Sequence, residues 1–333
     1  MNKQTILVTD YVFSDFEQER KILAEVGAEL KITQCKTIAE LKPHLAGVHG
    51  LLNTYLPGIG PEVFDAAPDL KAVVRYGIGL DTIDIPAATY RGIMVANVPD
   101  YCINEVADHA LAHFLALARK IPFSDRKVKT GEWSLAYVKP MKALVGMRAG
   151  IIGFGRIGRA IAARLKVFGV EVVFHDPMIS AEVDGCRPVT FDAVLATCDA
   201  IFVQCPSSKA TRHLLDRTAF GKMSRQPLVI NCARGEVVDT DALVWALQNG
   251  KVSGAGLDVL EDESIVKTQH PLKGCPNVTI TPHSAWYSEA AIPALQRRAA
   301  EEMAKAIKGD RPSSLVNPEV MERVIARSAR SVG

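Results

Sequence analysis

The stretch Ala149-Gly150-Ile151-Ile152-Gly153-Phe154-Gly155-Arg156-Ile157-Gly158 constrains this chain more than any other feature. Three glycines at this spacing let a chain turn sharply, approach a pyrophosphate closely and pack a helix tightly on a strand. A bare G-x-G-x-x-G is weak, because tight strand–helix turns use it too. Its context here is specific. The residues before it are small and β-branched, as a buried parallel strand requires. After it, Ile157, Ile161, Leu165 and Phe168 fall on one helical face. Gly169 then stops the helix, and 171–174 reads as the next strand. Asp176 stands at the end of that strand, about twenty residues past the glycines, where an acid can bond ribose hydroxyls. The stretch therefore reads as a dinucleotide site.

The chain has 333 residues, enough for two domains with a large core in each. Its net charge is +2, so no basic footprint points to nucleic acid. No apolar run reaches the roughly eighteen residues of a membrane span. The N-terminus reads as a first strand and lacks a signal-peptide core. Seven cysteines without a C-x-x-C pair suggest neither a disulfide framework nor a zinc site. No metal is expected, and reduced thiols fit a cytoplasmic location.

Short apolar runs at 6–9, 51–53, 72–75 and 93–97 alternate with helical stretches, which implies a parallel α/β sheet. An amphipathic stretch at 105–120 leads away from that sheet and reads as a connecting helix. Beyond the glycines, strands are expected at 200–204, 228–232, 255–259 and 278–281, with another long helix at 288–308. A dinucleotide unit in the middle of a chain is most simply an insertion. The expected fold is α/β with two doubly wound parallel-sheet domains. A Rossmann cofactor domain at 102–287 interrupts a flavodoxin-like substrate domain made of 1–101 and 288–333. Ligands in such proteins bind in the cleft between domains.

A nicotinamide cofactor needs a partner for hydride transfer and a group that handles the hydroxyl proton. Three residues after strands of the second domain fit that work. Arg234, in Asn231-Cys232-Ala233-Arg234-Gly235, can grip a carboxylate with two parallel hydrogen bonds. His283, in Thr281-Pro282-His283, can take and return a proton near neutrality. Glu263 lies in an acidic run that alone reads as a solvated loop. Paired with His283 it would fix the imidazole tautomer and stabilise the imidazolium. Of the other histidines, His44, His49 and His270 look like surface positions and His213 lies in a loop. His109 and His113 lie on the connecting helix, and His175 flanks the cofactor.

Together these segments resemble the D-isomer-specific 2-hydroxyacid dehydrogenase family over about residues 50–310. Arg75-Tyr76-Gly77-Ile78-Gly79-Leu80-Asp81 is similar to its substrate-loop motif. The resemblance implies that the amides of Ile78 and Gly79 bind the substrate carboxylate. The glycine run, the Arg234 segment, Asp258 with Glu263 five residues later, and Pro282-His283 match further family motifs in order. The wording at Asn97-Val98-Pro99, Glu105-Val106-Ala107-Asp108 and His283 to Ser288 is nearest the C-terminal-binding-protein-like subgroup. There, residues matching Arg75 and Trp286 face the substrate. Asp108 stands where most of the family has Glu, Ser264 where proline is usual, and Thr82 where asparagine is common. These departures leave the substrate open.

The resemblance implies an NAD-dependent oxidoreductase acting on a D-2-hydroxy acid or 2-oxo acid, with Arg234, Glu263 and His283 catalytic. Expected cofactor contacts are Gly153, Gly155, Arg156, Ile157, Gly158, Asp176, Cys205, Pro206, Cys232, Ala233, Arg234, Asp258 and His283. Asp258 is expected to orient the nicotinamide carboxamide. Asp176 without a neighbouring cation favours NAD over NADP. Tyr76, Trp286 and Tyr287 are expected to set the pocket size, and the family implies a homodimer. An NAD(H)-sensing, corepressor-like protein with little turnover and a phosphite-type dehydrogenase are the alternatives. A formate dehydrogenase would pair the histidine with glutamine, against Glu263.

Overall fold

A computed structural model describes residues 3–265 and 269–330. Contacts divide the chain into two compact units, Met1–Tyr101 with Ser288–Gly333, and Cys102–Tyr287. Each is built on its own parallel sheet.

In the first unit, β1 (Gln4–Val8), β2 (Ala28–Ile32), β3 (Val48–Asn53), β4 (Ala72–Arg75) and β5 (Met94–Ala96) lie in the order β2-β1-β3-β4-β5. The central strands carry apolar runs, at 6–8, 51–52 and 72–74, because both faces are covered. Ile6, Val8, Leu52 and Val74 pack against Leu295, Ala299 and Met303 of the helix Ala291–Lys308. Leu7, Leu51 and Val73 point the other way, onto Val63 and Phe64. The strand β2 was not expected from sequence. It is an edge strand with Ala28 and Leu30 buried and Glu29 and Lys31 exposed, so it lacks the apolar run of its neighbours.

The order of this sheet reverses between β1 and β3. There, the buried Asp10 accepts amide bonds from Thr54 (2.7 Å), Tyr55 (2.7 Å) and Leu56 (2.9 Å), which fixes the loop after β3. Tyr76, expected as a pocket wall, is instead core. It is 1% exposed, and its hydroxyl donates to Glu19 Oε1 at 2.9 Å. Gln296 donates to the same carboxyl oxygen at 3.0 Å and to the Asp15 carbonyl at 2.8 Å. Burial pushes the Glu19 carboxyl above the usual carboxylate range.

The second unit contains β6 (Arg148–Ile152), β7 (Glu171–His175), β8 (Arg187–Pro188), β9 (Ala200–Val203), β10 (Leu228–Asn231), β11 (Gly254–Leu257) and β12 (Val278–Ile280). Their order is β12-β11-β10-β9-β6-β7-β8, so the chain changes direction across the sheet between β6 and β9. In open α/β sheets that reversal is where ligands bind, beyond the carboxyl ends of the strands. The connecting helix spans Ile103–Ala118, with Phe114 tilted against Phe202 of β9 at 5.6 Å. A following helix, Ile121–Lys129, was not expected. Lys120 takes a left-handed conformation (φ +53°), and Pro122 opens a new helix instead of extending the old one. Among the described residues, no helix is long and apolar enough to cross a membrane.

Candidate active site

The glycine run joins β6 to the helix Arg156–Val167 at the point where the sheet order reverses. Gly153 has φ +92°, and a Cβ there would lie 2.7 Å from the backbone of Gln204 and 2.8 Å from the Cys205 nitrogen. Only glycine lets these two strand ends come so close. A Cβ on Gly158 would meet the Gly153 carbonyl at 2.5 Å, so the helix sits directly on the turn. Gly155 is different. A Cβ there would meet nothing within 4 Å, and the residue opens the helix with no side-chain cap. The first amides of the helix, at Arg156, Ile157 and Gly158, lack intrahelical partners. That cradle fits a pyrophosphate.

Asp176 closes the turn. One carboxylate oxygen accepts the Phe154 amide at 2.8 Å, and the other accepts Met178 at 2.9 Å. The first bond pins the glycine loop to the end of β7, the second fixes the carboxylate locally, and lone pairs remain for ribose hydroxyls. Phe154 and Phe174 stack beneath it with ring centroids 4.0 Å apart. Cys205 and Cys232 are buried, and burial pushes the Cys205 thiol up to about 11 and the Cys232 thiol higher still. Both therefore stay neutral thiols. Pro206 follows Cys205 at the end of β9, and Ala233 follows Cys232 past β10. His175 lies against Phe191, with Nδ1 3.2 Å from the Val189 carbonyl.

The other chemical groups follow three neighbouring strands, β10, β11 and β12. After β10, the buried Asn231 folds the chain back on itself. Its Nδ2 donates to the Arg234 carbonyl at 2.9 Å, and its Oδ1 accepts the Ala233 amide at 3.0 Å. After β11 comes Asp258, 2% exposed. Its Oδ1 accepts from the Ser284 amide (2.9 Å) and the Thr281 hydroxyl (2.6 Å), and its Oδ2 accepts from the Ala285 amide (2.9 Å). The Asp258 carbonyl accepts from the His283 amide, also at 2.9 Å. The Asp258 carboxylate thus anchors the loop that carries His283.

That loop holds His283 at φ +52°, a conformation unusual for a residue with a Cβ and one that clusters at functional sites. Its Nδ1 lies 2.9 Å from Glu263 Oε1, so the structure brings this expected pair together. Glu263 is half exposed, so the pair adds little stability. Its effect is to fix the ring and its tautomer. Trp286 is half-buried, with its ring edge-on to Tyr287 at 5.9 Å. In the first unit, Arg75 is buried, lies 4.9 Å over the Tyr55 ring and donates to the Tyr76 carbonyl at 3.0 Å. Its Nε has no hydrogen-bond partner there. The Ile78 carbonyl accepts from Asn97 at 2.7 Å, and Gly79 continues the same loop.

Sequence reasoning missed two groups. His109 and His113 reach from the connecting helix to the base of the His283 loop, with their rings 5.0 Å apart. His113 Nδ1 lies 2.7 Å from Thr279 Oγ1, and His109 Nε2 lies 2.8 Å from Thr281 Oγ1. Their four-residue spacing on one helical face was the available signal. His270, expected at the surface, is buried and caps the Leu272 amide.

Burial, then the neighbouring His109, lower the His113 pKa from 6.5 to about 4. The unfolded chain therefore binds this proton more readily. The contribution of His113 is complete above about pH 6.5 and is lost as pH falls toward 4. Urea unfolding of wild type and His113→Gln across that window should show the wild type losing more stability on acidification. Parallel curves would contradict this.

Known proteins agree with the geometry. The model of the family described as "D-isomer specific 2-hydroxyacid dehydrogenase, NAD binding domain" matches residues 111–285. A glyoxylate reductase from Thermofilum pendens is 38% identical over 293 residues, covering 85% of each chain. A D-lactate dehydrogenase from Aquifex aeolicus, solved with NAD and lactic acid, is similar with a TM-score of 0.85. Its identity is 28%, over 94% of this chain and 99% of that one. An NADPH-dependent glyoxylate/hydroxypyruvate reductase from Sinorhizobium meliloti, solved with NADP and malonate, gives a TM-score of 0.83. Its identity is 30%, over 96% and 98%. The glycine cradle, the paired histidine and glutamate, and these likenesses lead to one conclusion: the chain belongs to the D-isomer-specific 2-hydroxyacid dehydrogenase family and is an NAD(P)-dependent oxidoreductase of 2-hydroxy and 2-oxo acids.

Proposed function

We propose that the chain reduces a small 2-oxo acid such as glyoxylate, with Arg234, Glu263 and His283 as its catalytic set. The contact between His283 Nδ1 and Glu263 Oε1, at 2.9 Å, carries this reading. When bound, NADH supplies the hydride for the carbonyl carbon. Protonated His283 gives the proton on its other nitrogen to the carbonyl oxygen. Glu263 accepts from Nδ1–H and stabilises the imidazolium in the manner of a triad carboxylate. Arg234 grips the substrate carboxylate and polarises the adjacent carbonyl. We assign substrate-binding roles also to Arg75, to the amides of Ile78 and Gly79, and to Trp286. Gly153, Gly155, Gly158 and the amides of Arg156 and Ile157 hold the pyrophosphate. Cys205, Pro206, Cys232 and Ala233 line the cofactor beside them.

Asp176 sets the cofactor preference in this reading. Its carboxylate suits ribose hydroxyls and repels a 2′-phosphate, and Pro177 supplies no cation. The solved relative that carries NADP makes this a point to measure. The kinship with the C-terminal-binding-protein-like subgroup rests on the wording around Asn97, Asp108 and Trp286. The relatives named above support the family alone.

One experiment tests reaction and cofactor together. Glyoxylate, pyruvate, hydroxypyruvate, phenylpyruvate and 4-methylthio-2-oxobutyrate are each offered with NADH and with NADPH. Turnover of a small 2-oxo acid is expected, faster with NADH. No turnover with any acid overturns the enzymatic reading, and equal rates with NADPH overturn the role of Asp176.

We also propose that the chain is a homodimer. Ile121, Val128, Trp133, Leu135 and Val145 leave large apolar side chains exposed between residues 121 and 145, up to 90% at Trp133. Such a cluster marks an interaction surface. Light scattering should give the mass of two chains. The mass of one chain would contradict the proposal.

A further inference from the structure

Behind the His283 loop, five side chains form a continuous hydrogen-bonded cluster within the second unit. Thr281 Oγ1 is its centre. It lies 2.6 Å from Asp258 Oδ1, 2.8 Å from His109 Nε2 and 3.1 Å from His113 Nε2. His113 Nδ1 continues the cluster to Thr279 Oγ1 at 2.7 Å. The cluster is mostly enclosed. Asp258 and His113 are buried, and the His109 side chain is 25% exposed.

Hydrogen-bond accounting fixes the direction of every bond. A threonine hydroxyl has one proton to donate and two lone pairs to accept with. The Asp258 carboxylate already accepts an amide proton on each oxygen, so it acts as an acceptor and takes the Thr281 proton. Thr281 Oγ1 can then only accept from the two imidazoles. Both histidines must carry their proton on Nε2. His113 Nδ1 is left as an acceptor, and the Thr279 hydroxyl donates to it. The hub is filled, with one bond donated and two accepted. The low pKa of His113 agrees with a neutral ring in this place. With the His113 ring neutral, no other arrangement of these protons satisfies every member, and half-satisfied buried networks are costly.

We propose that Thr281, held by His109 and His113, is a positioning residue for the reaction: it orients the Asp258 carboxylate, which in turn fixes the loop that aims His283. The chain of cause is short. Thr281 donates to Asp258. Asp258 accepts the Ser284 and Ala285 amides, directly after His283, on its carboxylate, and the His283 amide on its own carbonyl. His283 is thereby held at φ +52°. Releasing the Asp258 carboxylate from Thr281 lets the turn relax toward an unstrained backbone and swings the imidazole off its target. Small displacements of this kind cost much in rate, because a proton must transfer across hydrogen-bond distance. The helix Ile103–Ala118 thereby contributes to the chemistry without touching substrate.

This inference rests on the acid–base reading of His283, and its test separates the two. Thr281→Val removes the hydroxyl at nearly constant volume, and Thr281→Ser keeps it. The expected result is a loss of about tenfold or more in kcat for Thr281→Val and about threefold or less for Thr281→Ser. NADH affinity, set at the glycine cradle, should hold within about twofold for both. A merely structural hydroxyl would lower the melting temperature of Thr281→Val and leave kcat intact. That outcome overturns the positioning role alone. A wild type inactive on every 2-oxo acid overturns the acid–base reading instead. If Thr281→Val does not fold, imidazole ¹⁵N NMR of the wild type decides. Neutral Nε2–H tautomers at both His109 and His113 support the network, and an Nδ1–H tautomer at His113 overturns it.

Discussion

The carboxylate of Asp258 holds the loop that carries His283 together. It is buried at the end of β11 and accepts the Ser284 and Ala285 amides and the Thr281 hydroxyl. Its own carbonyl takes the His283 amide. A left-handed residue with a Cβ persists only where its surroundings over-determine it, and these bonds do that for His283. Removing the Asp258 carboxylate would leave two buried amides and a hydroxyl without partners, at roughly 1–3 kcal/mol for each unsatisfied group. The exposed Glu263 can then orient His283 with a single contact, because the backbone has already brought the ring to it.

The other half of the site depends on close approach instead of charge. Gly153 lets β6 end against Gln204 and Cys205 where the sheet reverses, and Gly158 lets the next helix sit on the same turn. Both glycines are filled in by protein. Gly155 alone faces open space at a helix start, and Asp176 clamps the loop from the side. One sheet thus presents helix amides after β6, at its reversal, and a histidine–glutamate pair four strands away, with His283 after β12. Parallel strands place both at the same edge, the arrangement that the proposed hydride and proton transfers require.

Much of this was legible in the sequence because it follows from local rules. The glycine run carries its own strand, turn and helix, and the acid beyond it comes at a fixed distance. The strands of both sheets that are covered on two faces were visible as apolar runs, while the edge strand β2 was hidden by Glu29 and Lys31. The order of Arg234, Glu263 and His283 along the chain pointed to three strand ends, and two of these residues meet. What could not be read was long-range. Tyr76 looked like a pocket wall because it sits in the substrate-loop motif, yet Glu19 and Gln296, distant in sequence, draw its hydroxyl into the core. His109 and His113 looked like residues of a connector. Only the packing of that helix against β11 and β12 shows that they meet Thr281 and Thr279. Nor does the sequence show that the Asp258 carboxylate anchors a loop more than twenty residues later, at Ser284 and Ala285.

The central claim is that His283 moves the proton while the glycine cradle independently holds the cofactor. Replacing His283 with alanine and measuring kcat and NADH affinity on the same preparation tests it most directly. The account predicts that kcat falls at least ~100-fold, the scale of general acid catalysis, while NADH affinity stays within about twofold. A His283→Ala enzyme that turns over at nearly the wild-type rate would contradict it.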